Sequence, residues 1–260
     1  MSVQQQLAAA TQQSESVNDI INIAVTAEAM AVTLLGAAIA GAPGYTNADG
    51  SKGLAVSLVT ILKAAQATEQ AHYNFLTGAG AKPLTLTFNI PDPKIASETK
   101  TLFTTIENLE SAFIAAYAAA AHEFAMLKNA ALVKVAVQIG GTEAEHRALA
   151  RLALGDSLPH NVAFEAATFN TVGDAAAALE KLGFIGGSGP TVKFADFTGK
   201  VDFSGVSNLT PGGVIASAHG NDEMPASLPR TGGIPLGPIL VTGAAVAALG
   251  VGLRRTTGKD

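Results

Sequence analysis

Apolar residues recur three and four positions apart in four long stretches of this chain, the spacing that lays one continuous stripe along an α-helix. The first stretch, Ser14 to Gly41, opens on the capping hydroxyls Ser14 or Ser16 and closes at the Gly41-Ala42-Pro43-Gly44 cluster. After a loop carrying Asn47, Asp49, Gly50 and Gly53, the second runs from about Lys52 to Thr77 and stops at Gly78 and Gly80. The third spans about Ala96 to Met126 and the fourth about Ala130 to Leu154, with Gly155 as its stop. So few residues separate these last two that they must be antiparallel neighbours. Between the second and third, Lys82 to Lys94 holds three prolines among alternating Leu, Thr, Phe and Ile, which predicts an extended segment. At about 3.3 Å per residue such a segment can run the roughly 35 to 40 Å length of a 25-residue helix.

The pattern predicts an all-α protein, a four-helix bundle with one long crossover in its middle connection. Past the bundle, Pro159 to Phe197 holds one short helix, Val172 to Leu182, capped by Thr171 and closed by Gly183. Ser204 to Ser227 is rich in Gly, Ser, Asn and Pro and reads as a flexible linker. The expected organisation is a flexible start over 1–13, a bundle over 14–156, a packed extension over 157–203, a linker over 204–227 and a distinct carboxyl-terminal segment over 228–260.

The seams that the helices turn towards one another can be read from the same spacing. Helix one gives Ile21, Ala24, Glu28, Ala31, Leu35 and Ala38, and helix two gives Leu58, Leu62, Ala65, Glu69, His72 and Leu76. Helix three gives Phe103, Ile106, Glu110, Phe113, Tyr117 and Ala120, while helix four gives Leu132, Ala136, Ile139, Glu143, His146 and Ala150. Every seam is apolar except at one level. Counted from the turns, Glu28 and Glu69 lie at matching depth, as do Glu110 and Glu143, so all six polar residues fall in one layer. Glu-x-x-His occurs twice, both times on a seam, where chance spacing supplies well under one such pair. Glu and His at i and i+3 share a helix face and can reach one point in the core.

Four carboxylates in an apolar layer repel each other and lose their hydration, and a bare charge there costs several kcal/mol. Two divalent cations cancel those four charges. Carboxylate and imidazole without sulfur suit iron, manganese or zinc, and the shortage of ligands leaves positions for oxygen, peroxide or water. The absence of Cys removes disulfides, thiolate zinc sites, iron-sulfur clusters and cysteine nucleophiles from consideration.

Ala24 to Leu35 (AVTAEAMAVTLL), Ala67 to Leu76 (ATEQAHYNFL), Asn108 to Ala118 (NLESAFIAAYA) and Thr142 to Ala150 (TEAEHRALA) resemble the four helices of the ferritin-like proteins grouped with desiccation-related proteins of bacteria and plants. The resemblance covers about Ser14 to Leu182, including Asn161 to Leu179, which is similar to that family's extension beyond the bundle. It implies a di-metal site, iron or manganese, held by Glu28, Glu69, His72, Glu110, Glu143 and His146, with no ligand missing. The Gly140-Gly141 pair inside helix four departs from a plain helix at about 2 kcal/mol against Ala, and it predicts a helix bulge or a close approach near the metals.

Other residues carry weaker signals. Glu107, Glu123 and Glu145 lie off the seams and read as solvated, and His122, His160 and His219 read as surface residues. Tyr117 is two turns from Glu110 on the same seam, which allows either a phenol supporting the metals or plain packing. Isolated, Glu28 is equally consistent with a side chain reaching out at a bundle edge, and only its five partners at one depth argue otherwise.

At the carboxyl end, Leu228-Pro229-Arg230-Thr231-Gly232 precedes an uncharged run from Gly233 to Leu253, then Arg254-Arg255 and Lys259. About twenty apolar residues span a bilayer, and the positive residues after them hold the tail on the cytoplasmic side. The order of motif, span and basic tail resembles the cell-wall sorting signal of Gram-positive surface proteins. The resemblance implies that a sortase cuts between Thr231 and Gly232 and joins Thr231 to peptidoglycan, with residues 233–253 forming a transmembrane helix beforehand. An ordinary tail anchor is the plainer alternative. Export is harder to read, since Met1 to Glu15 carries neither a positive charge nor an apolar run. Met30 to Ala42 has the apolar core and small end of a signal, yet the first positive charge is Lys52 and cleavage there removes Glu28. The expectation is therefore an internal start within a longer precursor or another route of export.

Composition fits this picture. Charged residues are only 14%, aromatics 5% and Trp absent, as in closely packed Ala-rich helices, and the mean hydropathy of +0.31 agrees with a membrane segment. The net charge of -5 comes without a basic cluster in the bundle, which excludes a phosphate-tracking surface, so no nucleic acid is expected as partner. The expected function is a cell-surface di-metal protein that oxidises metal or removes oxygen or peroxide. The alternative is a structural or stress-protective surface protein whose metal is a staple or is absent.

Overall fold

The structure, a computed structural model, describes residues 15–212. Four long helices dominate it: α1 (Val17–Gly41), α2 (Val56–Gly78), α3 (Thr99–Met126) and α4 (Ala130–Ala153). A crossover carrying strand β1 (Thr87–Asn89) joins α2 to α3, and the extension adds helix α5 (Val172–Lys181) and strand β2 (Thr191–Lys193). The expectations placed on 1–13, on His219, on Leu228-Pro229-Arg230-Thr231-Gly232 and on 233–253 lie outside the described residues, as does most of the linker. Ser204 to Gly212, its described part, carries no helix or strand.

Local chemistry sets the helix ends. Of the two candidate caps for α1, Ser16 does the work, its hydroxyl accepting from Asp19 N at 3.2 Å. Asn129 accepts from Leu132 N at 3.1 Å to start α4, and Thr171 with Asp174 forms a reciprocal capping box on α5. The α3–α4 turn centres on Lys128, whose φ of 58° is a left-handed conformation in a non-glycine residue. Two starts fall later than the sequence predicts. Lys52 is drawn into a bridge with Thr46, and Gly53 follows at a φ of 88°, so α2 begins at Val56. Pro93–Ala96 forms a 3₁₀ turn and Glu98 bridges Thr46, which delays α3 to Thr99.

The same bridges fix the topology. Lys82 N donates to Asn22 Oδ1 near the start of α1, whereas Thr46 N donates to Ser97 O just past the end of α1. The crossover therefore runs the length of the bundle, as its extended sequence predicts, and α2 and α3 run parallel. Each hairpin, α1 with α2 and α3 with α4, makes the most extensive contacts, and α5 lies against α1 and α3.

Helix α1 is the most enclosed element, with Ile20, Val25, Ala29, Met30, Val32 and Thr33 at 0% exposure. By length and hydropathy Val17–Gly44 is apolar enough to cross a membrane, but its apolar faces are spent on the bundle. The signal-like run Met30 to Ala42 is thus the middle and end of a core helix, where each fully buried Leu or Val contributes about 1.5 to 3 kcal/mol.

The extension is bonded into the bundle more closely than its loop-rich sequence suggests. Strand β1 pairs antiparallel with β2, setting Phe88 opposite Val192. Phe197 packs onto Gly36 of α1, where an added Cβ would lie 2.6 Å from its ring and from Gln66 Nε2. Thr198 donates to Gln70 Oε1 at 2.6 Å, and the rings of Tyr73 and Phe194 stand 4.5 Å apart.

Candidate metal centre

Half-way along the bundle the seams deliver Glu28 from α1, Glu69 and His72 from α2, Glu110 from α3, and Glu143 and His146 from α4 into one layer. Glu69 and Glu143 are 0% exposed, Glu28 2%, Glu110 4% and His146 7%. The six side chains form two groups of possible metal donors. Glu28, Glu69, His72 and Glu143 make one, and Glu69, Glu110, Glu143 and His146 the other, with the donor atoms of each group within 4.8 Å of one another.

The oxygens show how the groups share. His72 Nδ1 lies 3.2 Å from Glu28 Oε2, 3.4 Å from Glu69 Oε2 and 3.4 Å from Glu143 Oε1. His146 Nδ1 lies 2.9 Å from Glu69 Oε1, 3.2 Å from Glu143 Oε2 and 3.8 Å from Glu110 Oε1. Glu69 and Glu143 thus turn one oxygen to each group, while Glu28 and Glu110 each belong to one. Each imidazole nitrogen faces three carboxylates, and a single N–H cannot serve three acceptors.

Several of these oxygens have no hydrogen-bond partner although they are buried: Glu69 Oε1 and Oε2, Glu110 Oε2 and Glu143 Oε1. His146 Nδ1 lies 2.9 Å from Glu69 Oε1 without being its hydrogen-bond partner. Stranding four carboxylate oxygens in a dry layer is costly unless a cation takes them. The donor set fits that use, being hard oxygen plus imidazole arranged around two points with open sides.

Surrounding groups orient the donors. Thr68 Oγ1 donates to Ala65 O at 2.8 Å and stands 2.8 Å from His146 Nε2, so it accepts from the ring. A proton is then held on Nε2, which leaves Nδ1 as the nitrogen that could bind a metal once its own proton is displaced. Tyr117 donates its phenolic hydrogen to Glu28 Oε1, so it holds a candidate metal donor as well as packing. Gly140 explains how it gets there: an added Cβ would meet Tyr117 Cβ at 3.3 Å. Of the two outcomes expected from Gly140-Gly141, close approach is the one found, and α4 continues through the pair as regular helix.

Protons stand in for cations in this layer. Burial, then the charge of Glu69, raises the Glu28 carboxyl well above the usual range, and burial followed by Glu143 does the same to Glu110. Burial also pushes Glu69 up, but its contacts with His146 and His72 outweigh that and hold it well below. Burial lowers both imidazoles, yet the facing carboxylates more than reverse it and leave His72 and His146 well above the ordinary histidine value. Burial and the Glu28 charge lift the Tyr117 phenol as well.

Among the other acidic and histidine residues, Glu145 and His160 are exposed as expected, and His122 is half-buried. Glu107 is not simply solvated, since it pairs with Arg151 Nε at 2.8 Å. Glu123 departs furthest from expectation. It is 1% exposed, its oxygens accepting from Glu15 N and Val172 N at 2.9 Å each, because α5 and the residue before the α1 cap close over that end of α3. Thr68 is the supporting residue that the seam pattern misses. It precedes Glu69 and belongs to no apolar stripe, and only the packing of α2 on α4 brings it to His146.

Residues 16–156 match the family model of the ferritin-like domain, and the chain belongs to that family. No curated protein and no solved structure matches the chain.

Proposed function

We propose that this chain is a cell-surface protein holding two divalent ions, iron or manganese, in the Glu/His layer, and that it oxidises metal or consumes an oxidant such as oxygen or peroxide in stress protection. The observation that carries the reading is the sharing of Glu69 and Glu143 between two donor groups whose buried oxygens lack partners. Iron or manganese held there supplies one-electron chemistry towards oxygen or peroxide. The residues of the chain do the rest. Glu28 and Glu110 each complete one group, Thr68 fixes the His146 tautomer, and Tyr117 holds Glu28 by a hydrogen bond through which a proton can pass. Apolar cavities flank the layer: one of about 40 Å³ runs from Leu35 and Ile90 to Glu110, and another of about 30 Å³ runs from Val172 to Tyr117, with Phe113 lining both. Such walls favour a small neutral oxidant over a hydrated ion as the species that arrives by this side.

Metal analysis of the purified chain tests the reading. About two iron or manganese ions per chain that cycle on addition of peroxide support it. Redox-inert zinc, or no metal after loading, supports instead a surface protein whose bundle is structural.

The location belongs to the same proposal and rests on the order of Leu228-Pro229-Arg230-Thr231-Gly232, the apolar run and the basic tail. A sortase joins Thr231 to peptidoglycan after the membrane segment 233–253 has held the chain in place. In a sortase-bearing host the protein then leaves the cell only on wall digestion, and Thr231→Ala turns it into a detergent-extractable membrane protein. Detergent release of the unmutated chain with 232–260 still attached overturns the sorting step.

A further inference from the structure

On the outer side of α3 and α4, behind the turns that carry Glu110 and His146, residues between Val162 and Phe169 line an open pocket of about 420 Å³. That volume is within the range of small-molecule sites, about 300 to 1,000 Å³. Its lining combines Asn108, Ser111, Arg147 and Arg151 with the apolar Phe164 and Phe169. Arg147 and Arg151 are one helical turn apart and so present two guanidinium groups to the same side.

Arg147 is 8% exposed and its Nε is buried without a partner. Its other two nitrogens clasp Glu165 in a fork, Nη1 to Oε2 at 2.6 Å and Nη2 to Oε1 at 2.5 Å. This is the geometry with which arginine binds any carboxylate. Glu165, however, is 35% exposed and sits in a stretch without helix or strand, next to a Phe164 that is 94% exposed. A buried cation is thus paired to a carboxylate on a segment whose own apolar side chain finds no cover.

We propose that this pocket binds an organic monocarboxylate with an apolar body, and that Glu165 occupies the Arg147 fork as the chain's own stand-in for that ligand. On binding, the ligand carboxylate replaces Glu165 on Arg147, and the guanidinium of Arg151, whose Nε is already held by Glu107 at 2.8 Å, stands one turn away as a secondary contact. The apolar body lies against Phe169 and gives Phe164 a surface to close upon. A neutral or cationic molecule of the same shape gains none of the Arg contact and leaves Glu165 in place. The site is independent of metal, so it stands or falls separately from the function proposed above.

The probe is octanoate, titrated calorimetrically into the full chain, with octanol and octylamine as controls. Glu165→Gln removes the competing charge from a half-exposed position and should tighten octanoate binding about tenfold, the scale of one charge-assisted hydrogen-bonded contact. Arg147→Gln should abolish binding. Because Arg147 is buried, Arg151→Gln in the Glu165→Gln background provides the second measure and should weaken octanoate several-fold while the circular dichroism spectrum stays unchanged. Equal affinity for octanoate and octanol, no tightening in Glu165→Gln, or no loss in the Arg151 variant each overturns the proposal.

Discussion

Helix α3 buries two carboxylates thirteen residues apart, and their surroundings could hardly differ more. Glu123 is closed over by Glu15 and by α5, yet each of its oxygens receives a backbone amide. Burial lifts its carboxyl above the usual range, and the two amides limit the rise. Glu110 is buried among Glu69, Glu143 and His146, with Oε2 receiving nothing. Glu123 therefore acts as a pin that joins three segments, complete in the protein alone. Glu110 belongs to a layer whose buried oxygens could hold a metal ion. Burial of an acid does not by itself mark a metal site, and the state of its acceptors does.

Alanine substitution at the two positions breaks this comparison most strongly. Glu110→Ala should lose metal at the group it shares with His146, along with the metal-linked stabilisation, about 4 kcal/mol when free metal is a thousandfold above Kd. Measured without metal, the same variant should be no less stable than the parent, because an unsatisfied carboxylate has gone. Glu123→Ala should cost about 1 to 3 kcal/mol for each stranded amide whether or not metal is present, and should leave metal content unchanged. Denaturant melts of both variants, with and without metal, decide the matter, and a Glu123 variant that loses metal refutes the distinction.

Stability against pH is the next measure. Glu28, Glu110, His72 and His146 all hold protons more tightly folded than unfolded when no metal is bound. Their contribution is complete below the unfolded values, about 4.3 for Glu and 6.5 for His, and is lost as pH rises through the folded ones. The metal-free chain should thus weaken from about pH 5 upward, by up to about 1.4 kcal/mol per pH unit for each proton involved. Metal must displace the same protons, so the loaded chain should show the opposite slope and its apparent affinity should climb with pH. Parallel slopes for the two forms would show that the layer is not a cation site.

A smaller effect is expected at Thr68. Thr68→Val keeps the shape but removes the acceptor that fixes His146, and should weaken metal binding about 10- to 100-fold with little change in the metal-free melt. An unchanged affinity would place Thr68 with the packing residues.

That these six side chains meet in one layer was legible because each stands alone at one depth of an apolar stripe, and helical periodicity carries that information in one dimension. Glu123 lies on α3 near the end that α5 and Glu15 close over, and no local pattern announces a partner 108 residues back or 49 ahead. The delayed starts of α2 and α3 have a similar origin, since Thr46 reaches both Lys52 and Glu98 across the fold. The fork of Arg147 on Glu165 and the contact of Thr68 with His146 depend on which helices become neighbours, and the stripes do not state that. Two short strands were likewise hidden, because β1 finds its partner about a hundred residues further on.

The pairing of β1 with β2, and of Gly36 with Phe197, separates two boundaries that are usually drawn as one. A fragment ending where the family match ends, at residue 156, would keep all six residues of the Glu/His layer. It would also leave the crossover without its partner strand, the glycine notch of α1 without its aromatic lid and the far end of α3 without the amide of Val172. The stretch that the family model matches is thus shorter than the stretch that packs together here.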